Sequence, residues 1–433
     1  GEAAAEMGRL AYEEEARAAG EKCRWETFSS CPAAGEQGTC TRRGSTQEAG
    51  VAPLIGESDA DLYLSIIMVA RHDNTQFCQA PQEACLDRLR ASLSILLERL
   101  HRAGLSHDSE IILVEWNPCY LNSRQDEGAC DERPKGYLSL EQAVRDLVIP
   151  LRDAPPIRIM LVSEHVHDQL YNPYDFDLME FIGKNVAARR ARGRFMVFTN
   201  PDDVWAEDLV QQLARRTLRE DVMYGTFRGV VRDHIPVGPR ASVASMERFV
   251  SGNSFSSEHH PQSVAHVAGR WRRAACGEGD FDQAPMTTAD GGYGYFHDSA
   301  AGDFLLLPRA VVYKIRGYPE IPTNIMIDGT AIHAGAAHGF GQLLFAGECV
   351  IYHQPHPRSY NTKGSMISFP AYESLAQSLL DAGHQANIRR GNVTLGERHT
   401  RVEEAVEWHR WNGEDWGLSA VAIPQVILSP ECH

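Results

Sequence analysis

"GKNVAARRARGRFMVFTNPDD" (residues 183–203) is the stretch on which the fold turns. It begins as a basic helix, passes through a short apolar strand, RFMVFT, and stops at Asn200-Pro201-Asp202-Asp203. On the helix, Met179, Ile182 and Val186 form an apolar stripe, which leaves Asn185, Arg189 and Arg192 on another face. Working outward, LYLSIIMVA (62–70), EIILVEW (110–116) and IRIMLV (157–162) are short apolar runs rich in β-formers and read as buried strands. Between the first two, Leu86, Leu89, Leu93, Leu96, Leu97 and Leu100 recur at helical spacing, with Gly104 placed as a C-cap. After the central stretch, residues 206–221 read as a helix and VMYGTFRGVV (222–231) as another strand. The alternation predicts an α/β fold whose largely parallel sheet is covered by helices on both faces.

In such sheets ligands sit off the carboxyl ends of the strands. That gathers Ala70-Arg71-His72-Asp73, Glu115-Trp116-Asn117 and Asn200–Asp203. No GxGxxG follows the first strand and no GxxxxGK[ST] occurs, which argues against a dinucleotide dehydrogenase and a P-loop ATPase. Two adjacent acids at a strand end suit Mg2+ or Mn2+, often held together with substrate phosphates. The neighbouring arginines would then donate to phosphate or ribose. On the residues alone, Asp202 and Asp203 as helix caps, and Arg189, Arg190 and Arg192 as a solvated helix face, stand as alternatives.

Composition narrows the partners. The chain has 433 residues, 43% of them hydrophobic and 8% aromatic, as a folded core requires. A net charge of −16 excludes a general nucleic-acid footprint but permits a small anionic ligand held locally. No run approaches the roughly 18 apolar residues of a membrane-spanning helix. The chain opens Gly1-Glu2 without a methionine, so we expect a signal or anchor upstream, and membrane attachment only through it. Ten cysteines, at 23, 31, 40, 78, 85, 119, 130, 276, 349 and 432, contain no CxxC and lie mostly in polar sequence. That pattern favours disulfides and an oxidising compartment over free thiols. Asn392-Val393-Thr394 is the single glycosylation sequon.

LSIIMVARHDN, SEIILVEWNP, GKNVAARRARGRFMVFTNPDD, GDFLLLPRAVVYKIRGYPE, IDGTAIHAGAAHG and YHQPHP, in that order over residues 60–360, resemble nucleotide-sugar glycosyltransferases of the GT-A fold, family 2 type. The resemblance implies a Rossmann-like mixed, mostly parallel sheet flanked by helices. It implies that Ala70 and Arg71 surround the base, that Glu115 faces it, and that Asn185 and Arg189 reach the donor. Asn200-Pro201-Asp202 stands where the family has D-x-D, with Asn200 replacing the first acid. Asp202, assisted by Asp203, and His353 then become the metal ligands, for Mn2+ or Mg2+. Asp328, at a helix start, matches the general base of an inverting transfer, and Glu320 is the second candidate.

The function this implies is metal-assisted, inverting transfer from a nucleotide sugar, a UDP-sugar by family frequency, to a hydroxyl of a glycan or glycoprotein. The place expected for it is the secretory pathway, in the Golgi lumen. The alternatives are a non-catalytic sugar-nucleotide-binding scaffold and, more weakly, a nucleotidyltransferase. The expected organisation is a disulfide-bearing N-terminal stalk (1–57) and a catalytic domain (58–370), its nucleotide-sugar half at 58–205 and its acceptor half at 206–370. A C-terminal extension of helix and loop (371–433) follows, with tryptophans packed back on the domain. Residues 251–302 lack periodicity and read as an acceptor loop, with Trp271, Tyr293, Tyr295 and Phe296 available to stack on sugars. His259, His260 and His266 there read as polar loop rather than a zinc site.

Overall fold

The computed structural model describes residues 23–27, 62–70, 82–118, 140–148, 153–172, 176, 178–238, 241–256, 264–269, 271–275, 294–297, 301–320, 327–338, 340–356 and 412–432. Its strands, in chain order, are β1 (Cys23–Thr27), β2 (Leu62–Ala70), β3 (Ser109–Trp116), β4 (Ile157–Val162), β5 (Gly193–Thr199), β6 (Asp203–Trp205) and β7 (Val222–Val231). They continue with β8 (Ser254–Ser256), β9 (Val264–Gly269), β10 (Trp271–Ala275), β11 (Gly294–His297), β12 (Phe304–Pro308), β13 (Gly341–His353) and β14 (Gln425–Cys432). Among the described residues the main sheet runs β1-β14-β4-β3-β2-β5-β12-β7-β13-β10, with β6 on β13 and β8 on β7.

The sheet is mixed. β4, β3, β2 and β5 are parallel neighbours, as are β7, β13 and β10. β12 lies antiparallel between β5 and β7 and joins the two blocks. Each central strand buries both faces, so alternate side chains enter different cores. Leu64, Ile66 and Met68 of β2 face one core, and Ile67 and Val69 face the other. The first core is closed by the helix Gln82–Arg102, whose leucines at 89, 93, 96, 97 and 100 are all buried. That helix ends as the sequence predicts: Gly104 takes φ +69°, and Leu105 N donates to Leu100 O (2.9 Å) while Gly104 N donates to His101 O (3.0 Å).

The second core is closed by the helices Glu180–Arg190, Arg309–Ile315 and Ile327–Ala337, and by Trp416. The first of these is buried on almost every side, from Phe181 through Ala188. It packs against β2 and β3, and its arginines end beside the start of β5, which follows it in the chain. The start of β5 lies close against β2, where a Cβ at Gly193 would collide with the Ser65 backbone.

Two regions differ from the expectation. The stretch 251–302 contains strands: β9 and β11 pair as a separate antiparallel ribbon, and β10 joins the main sheet beside β13. The C-terminal segment is drawn into the sheet rather than laid upon it: β14 pairs with β4, and β1 pairs with β14, setting Cys23 opposite Cys432. No periodicity marked these pieces, because their pairing partners lie far away in sequence. The helix expected at 206–221 stops at Ala214, and the chain turns at Arg216 with φ +56°. The helix expected at the start of the C-terminal extension, residues 372–383, lies outside the described residues. No helix among the described residues is long and apolar enough to cross a membrane.

Candidate metal and sugar site

The turn 200–203 is where the strand ends converge. Asp203 N donates to Asn200 O (3.3 Å), and Asn200 N donates to Asp203 Oδ2 (3.2 Å). Ser92 of the long helix donates to Pro201 O, and Gln354 N donates to Asp202 O (3.1 Å). β6 then pairs with the end of β13, which sets His353 directly opposite Asp203. The sequence delivers two acids to one strand end, and the register brings a histidine to them.

Three donor atoms converge there. His353 Nε2 and His356 Nε2 are 3.0 Å apart, His356 Nε2 lies 3.1 Å from Asp202 Oδ2, and His353 Nε2 lies 3.8 Å from the same oxygen. Two imidazole nitrogens this close cannot both point a proton at each other, so at least one presents a lone pair. Adjacent ligands around an ion with bonds of about 2.0–2.2 Å lie roughly 3–3.6 Å apart, so two of these separations match and the third is slightly wider. Behind the set, His353 Nδ1 meets Asp203 Oδ1 at 3.1 Å. A carboxylate on the far nitrogen fixes the tautomer that leaves Nε2 available to a metal. Asp203 therefore stands behind His353 rather than beside Asp202. The donor set fits a divalent ion.

The ionisable groups of this cluster shift one another. Burial alone would raise the Asp202 carboxyl, but a hydrogen bond from His356 and the charges of His353, His356 and Arg88 hold it below its usual range. Burial alone would lower the His353 imidazole, but its hydrogen bond to Asp203 and the charges of Asp202 and Asp203 raise it. Burial and the neighbouring Asp303 charge push the Asp203 carboxyl up.

Asn200 holds a different position from the acid it replaces. Its Oδ1 accepts from Lys184 Nζ (3.0 Å), and its Nδ2 donates to Asp303 Oδ1 (2.8 Å). An amide meets both demands, and an ionised aspartate could not. Asp303 precedes β12, whose first residue, Phe304, pairs with Thr199; its Oδ2 lies 2.9 Å from Arg228 Nη1. It forms a second convergent group with Asp203 and His353. Lys184 is wholly buried and also donates to Glu180 Oε1 (2.6 Å) and to Gly302 O (3.0 Å). Gly302 N in turn donates to Asp328 Oδ2 (2.6 Å), in the first turn of the helix Ile327–Ala337. Asp328 is thereby tied to the same loop that carries Asp303.

The other candidate residues lie elsewhere. Ala70 and Glu115 are register partners at the ends of β2 and β3, where buried Glu115 accepts from Leu140 N (3.1 Å); Arg71 lies outside the described residues. Asn185 is wholly buried and clamps Tyr318: its Nδ2 donates to Tyr318 O (2.8 Å) and its Oδ1 accepts from Tyr318 N (2.7 Å). Glu320 Oε1 accepts from Asn185 Nδ2 (2.9 Å) and Gly417 N (2.7 Å), so the second base candidate ties down the C-terminal segment. The Arg189 guanidinium lies over Trp416, 4.9 Å from the ring centre. Arg190 donates to the carbonyls of Gly417, Leu418 and Val421, and Arg192 to buried Glu110. The arginine row sits at the opposite end of β5, about 23 Å of extended chain from Asn200. Lys184, one turn from the helix start, is the cation of this helix that reaches the turn, through Asn200.

His356, Asp303 and Lys184 were missed in the sequence. His356 had a signal, its spacing of three from His353 in HQPH. Asp303 had none, because only the antiparallel pairing of β12 with β5 brings it to Asn200.

No family model and no curated protein matches the sequence. Similar solved structures include a mannosyltransferase from Pyrobaculum calidifontis in complex with GDP-Man and Mn2+, at 12% identity and a TM-score of 0.35, over 82% of this chain and 85% of that one. GalNAc-T7 with UDP, GalNAc and Mn2+ is similar at 12% identity and a TM-score of 0.37, over 82% of this chain and 56% of that one. TarS of S. aureus, residues 1–349 with UDP-GlcNAc, is similar at 10% identity and a TM-score of 0.37, over 80% of this chain and 72% of that one. Likeness at this level does not carry a functional reading, which rests on the residues themselves.

Proposed function

We propose that the chain is a metal-assisted, inverting glycosyltransferase, moving a sugar from a nucleotide-sugar donor, a UDP-sugar, to a hydroxyl of a glycan or glycoprotein. The observation that carries the reading is the convergence of Asp202, His353 and His356 at one strand end, with Asp328 tied to it through Gly302. Asp202, His353 and His356 would hold Mn2+, which when bound neutralises the diphosphate of the donor and of the departing nucleotide. Asp203 orients His353. Asp328 takes the proton of the attacking acceptor hydroxyl; its place in the first turn of a helix favours the ionised form this requires. Ala70 and Glu115, side by side at the ends of β2 and β3, are the proposed base-facing positions.

The test is release of nucleoside diphosphate from a panel of UDP- and GDP-sugars with Mn2+. The expected outcome is turnover with at least one donor, falling by about 100-fold or more in Asp328→Asn. Donor affinity and unfolding should stay near wild type in that variant. Near-normal turnover in folded Asp328→Asn removes the assigned base. No release from any donor contradicts the functional reading.

The proposal extends to a secretory, Golgi location. What supports it is the cysteine pattern and Cys349, which is buried and disulfide-bonded. Mass spectrometry of the non-reduced protein should show few alkylatable thiols, and ten free thiols in a folded sample would contradict the location.

A further inference from the structure

Tyr318 is 1% exposed, with its ring packed 5.0 Å from that of Phe181 and 4.9 Å from that of Phe198. Its backbone is clamped by Asn185, so the side chain has one fixed position. Yet its hydroxyl meets no hydrogen-bond partner among the described residues. Buried hydroxyls are nearly always partnered, and an orphan in a native structure calls for a reason. Packing is not the reason, because the neighbouring rings are phenylalanines and a third would fill the same space.

The surroundings of the hydroxyl supply a reason. Burial, and then the charges of Asp328 and Glu180, hold the phenol protonated, so it keeps a proton to donate. Glu180 is joined to Lys184, Lys184 to Asn200 and Gly302, and Gly302 to Asp328. The Tyr318 ring packs on Phe181, over which Lys184 Nζ lies 5.3 Å from the ring centre, so it stands beside this chain of groups and within the field of Asp328. An anionic partner is disfavoured by the two carboxylates nearby. A neutral oxygen is not.

We propose that the Tyr318 hydroxyl donates a hydrogen bond to a sugar hydroxyl at the reacting end of the site, beside Asp328. The inference rests on the glycosyltransferase reading and adds a residue that touches the neutral, polyhydroxyl part of a substrate. It divides the site by charge, with the diphosphate end at Asp202, His353 and His356 and the sugar end at Tyr318 and Asp328.

Tyr318→Phe tests it, because only the hydroxyl is removed. In the ligand-free protein the denaturation midpoint should stay the same or rise, since an orphaned polar group is lost. Affinity for UDP or GDP with Mn2+, whichever the wild type binds, should be unchanged. The kcat/KM with the accepted nucleotide sugar should fall roughly tenfold. If the partner is the donor sugar, the extra affinity of the nucleotide sugar over the bare nucleotide falls. If it is the acceptor, the acceptor KM rises and donor affinity holds. A fall in the midpoint would reveal a structural partner and overturn the proposal. So would unchanged kcat/KM in the variant of an active wild type. A wild type that releases no nucleotide from any donor overturns the functional reading first, and this inference with it.

Discussion

Asn200 is an amide where two neighbouring charges demand opposite hydrogen-bonding roles. Lys184 needs an acceptor and Asp303 needs a donor, and the side chain supplies both. Asn200→Asp keeps the first role and loses the second, adding a carboxylate beside Asp303. In metal-free protein we expect a loss on the order of 1–3 kcal/mol by chemical denaturation. A variant as stable as wild type would contradict the bridging role. His356 carries a second prediction: His356→Ala should weaken Mn2+-dependent nucleotide binding by more than tenfold, and Asp203→Asn, acting through His353, by about 10–100-fold. Calorimetry with and without Mn2+ reads both, and equal affinity in His356→Ala and wild type would exclude the ligand. At this scale Asp202 and His353 were legible because each ends an apolar run. Asp203 was legible as an acid but not in its place behind the histidine, which the β6–β13 register decides.

The helix Glu180–Arg190 shows what the sequence conceals about an element. Its existence follows from periodicity, but it ends at Arg190 and leaves Arg192, expected on its face, in the turn; its arginines suggest a phosphate site. Direction decides otherwise. The helix packs on β2 and β3, so that Lys184, near its start, meets Asn200 and its last turn meets the C-terminal segment. Arg189 stacks on Trp416, Arg190 caps three carbonyls, and Glu320 and Asn412 close the clamp. Trp416 is 2% exposed, so Trp416→Ala should cost about 3–5 kcal/mol in denaturant unfolding. A change below roughly 1 kcal/mol would mean that the segment is not part of the cooperative unit. The expectation that tryptophans pack back on the domain holds for Trp416. The strand that follows, β14, was not foreseen, because a strand paired with distant β1 and β4 leaves no local signal.

Across the whole molecule the two ends of the sheet divide the work. The strand starts hold a buried ion network: Glu110 accepts from Ser65 Oγ (2.7 Å), Arg158 Nη1 (2.9 Å) and Arg192 N (2.6 Å) and Nε (3.1 Å). Burial would raise the Glu110 carboxyl, but these partners outweigh it and hold it low. Its contribution is therefore present above the unfolded-state value of about 4.3 and lost as pH falls through the lower folded value. Glu110→Gln should be destabilised by about 3–5 kcal/mol at pH 7, with the gap narrowing in acid. A gap independent of pH would contradict the network. The strand ends hold Asp202, His353, His356 and Asp328, and the most direct test of their proposed role is calorimetric titration of UDP and GDP into wild-type protein with and without Mn2+. The account predicts binding of one nucleotide that requires the metal and vanishes in Asp202→Ala; equal affinity with and without Mn2+ would contradict it.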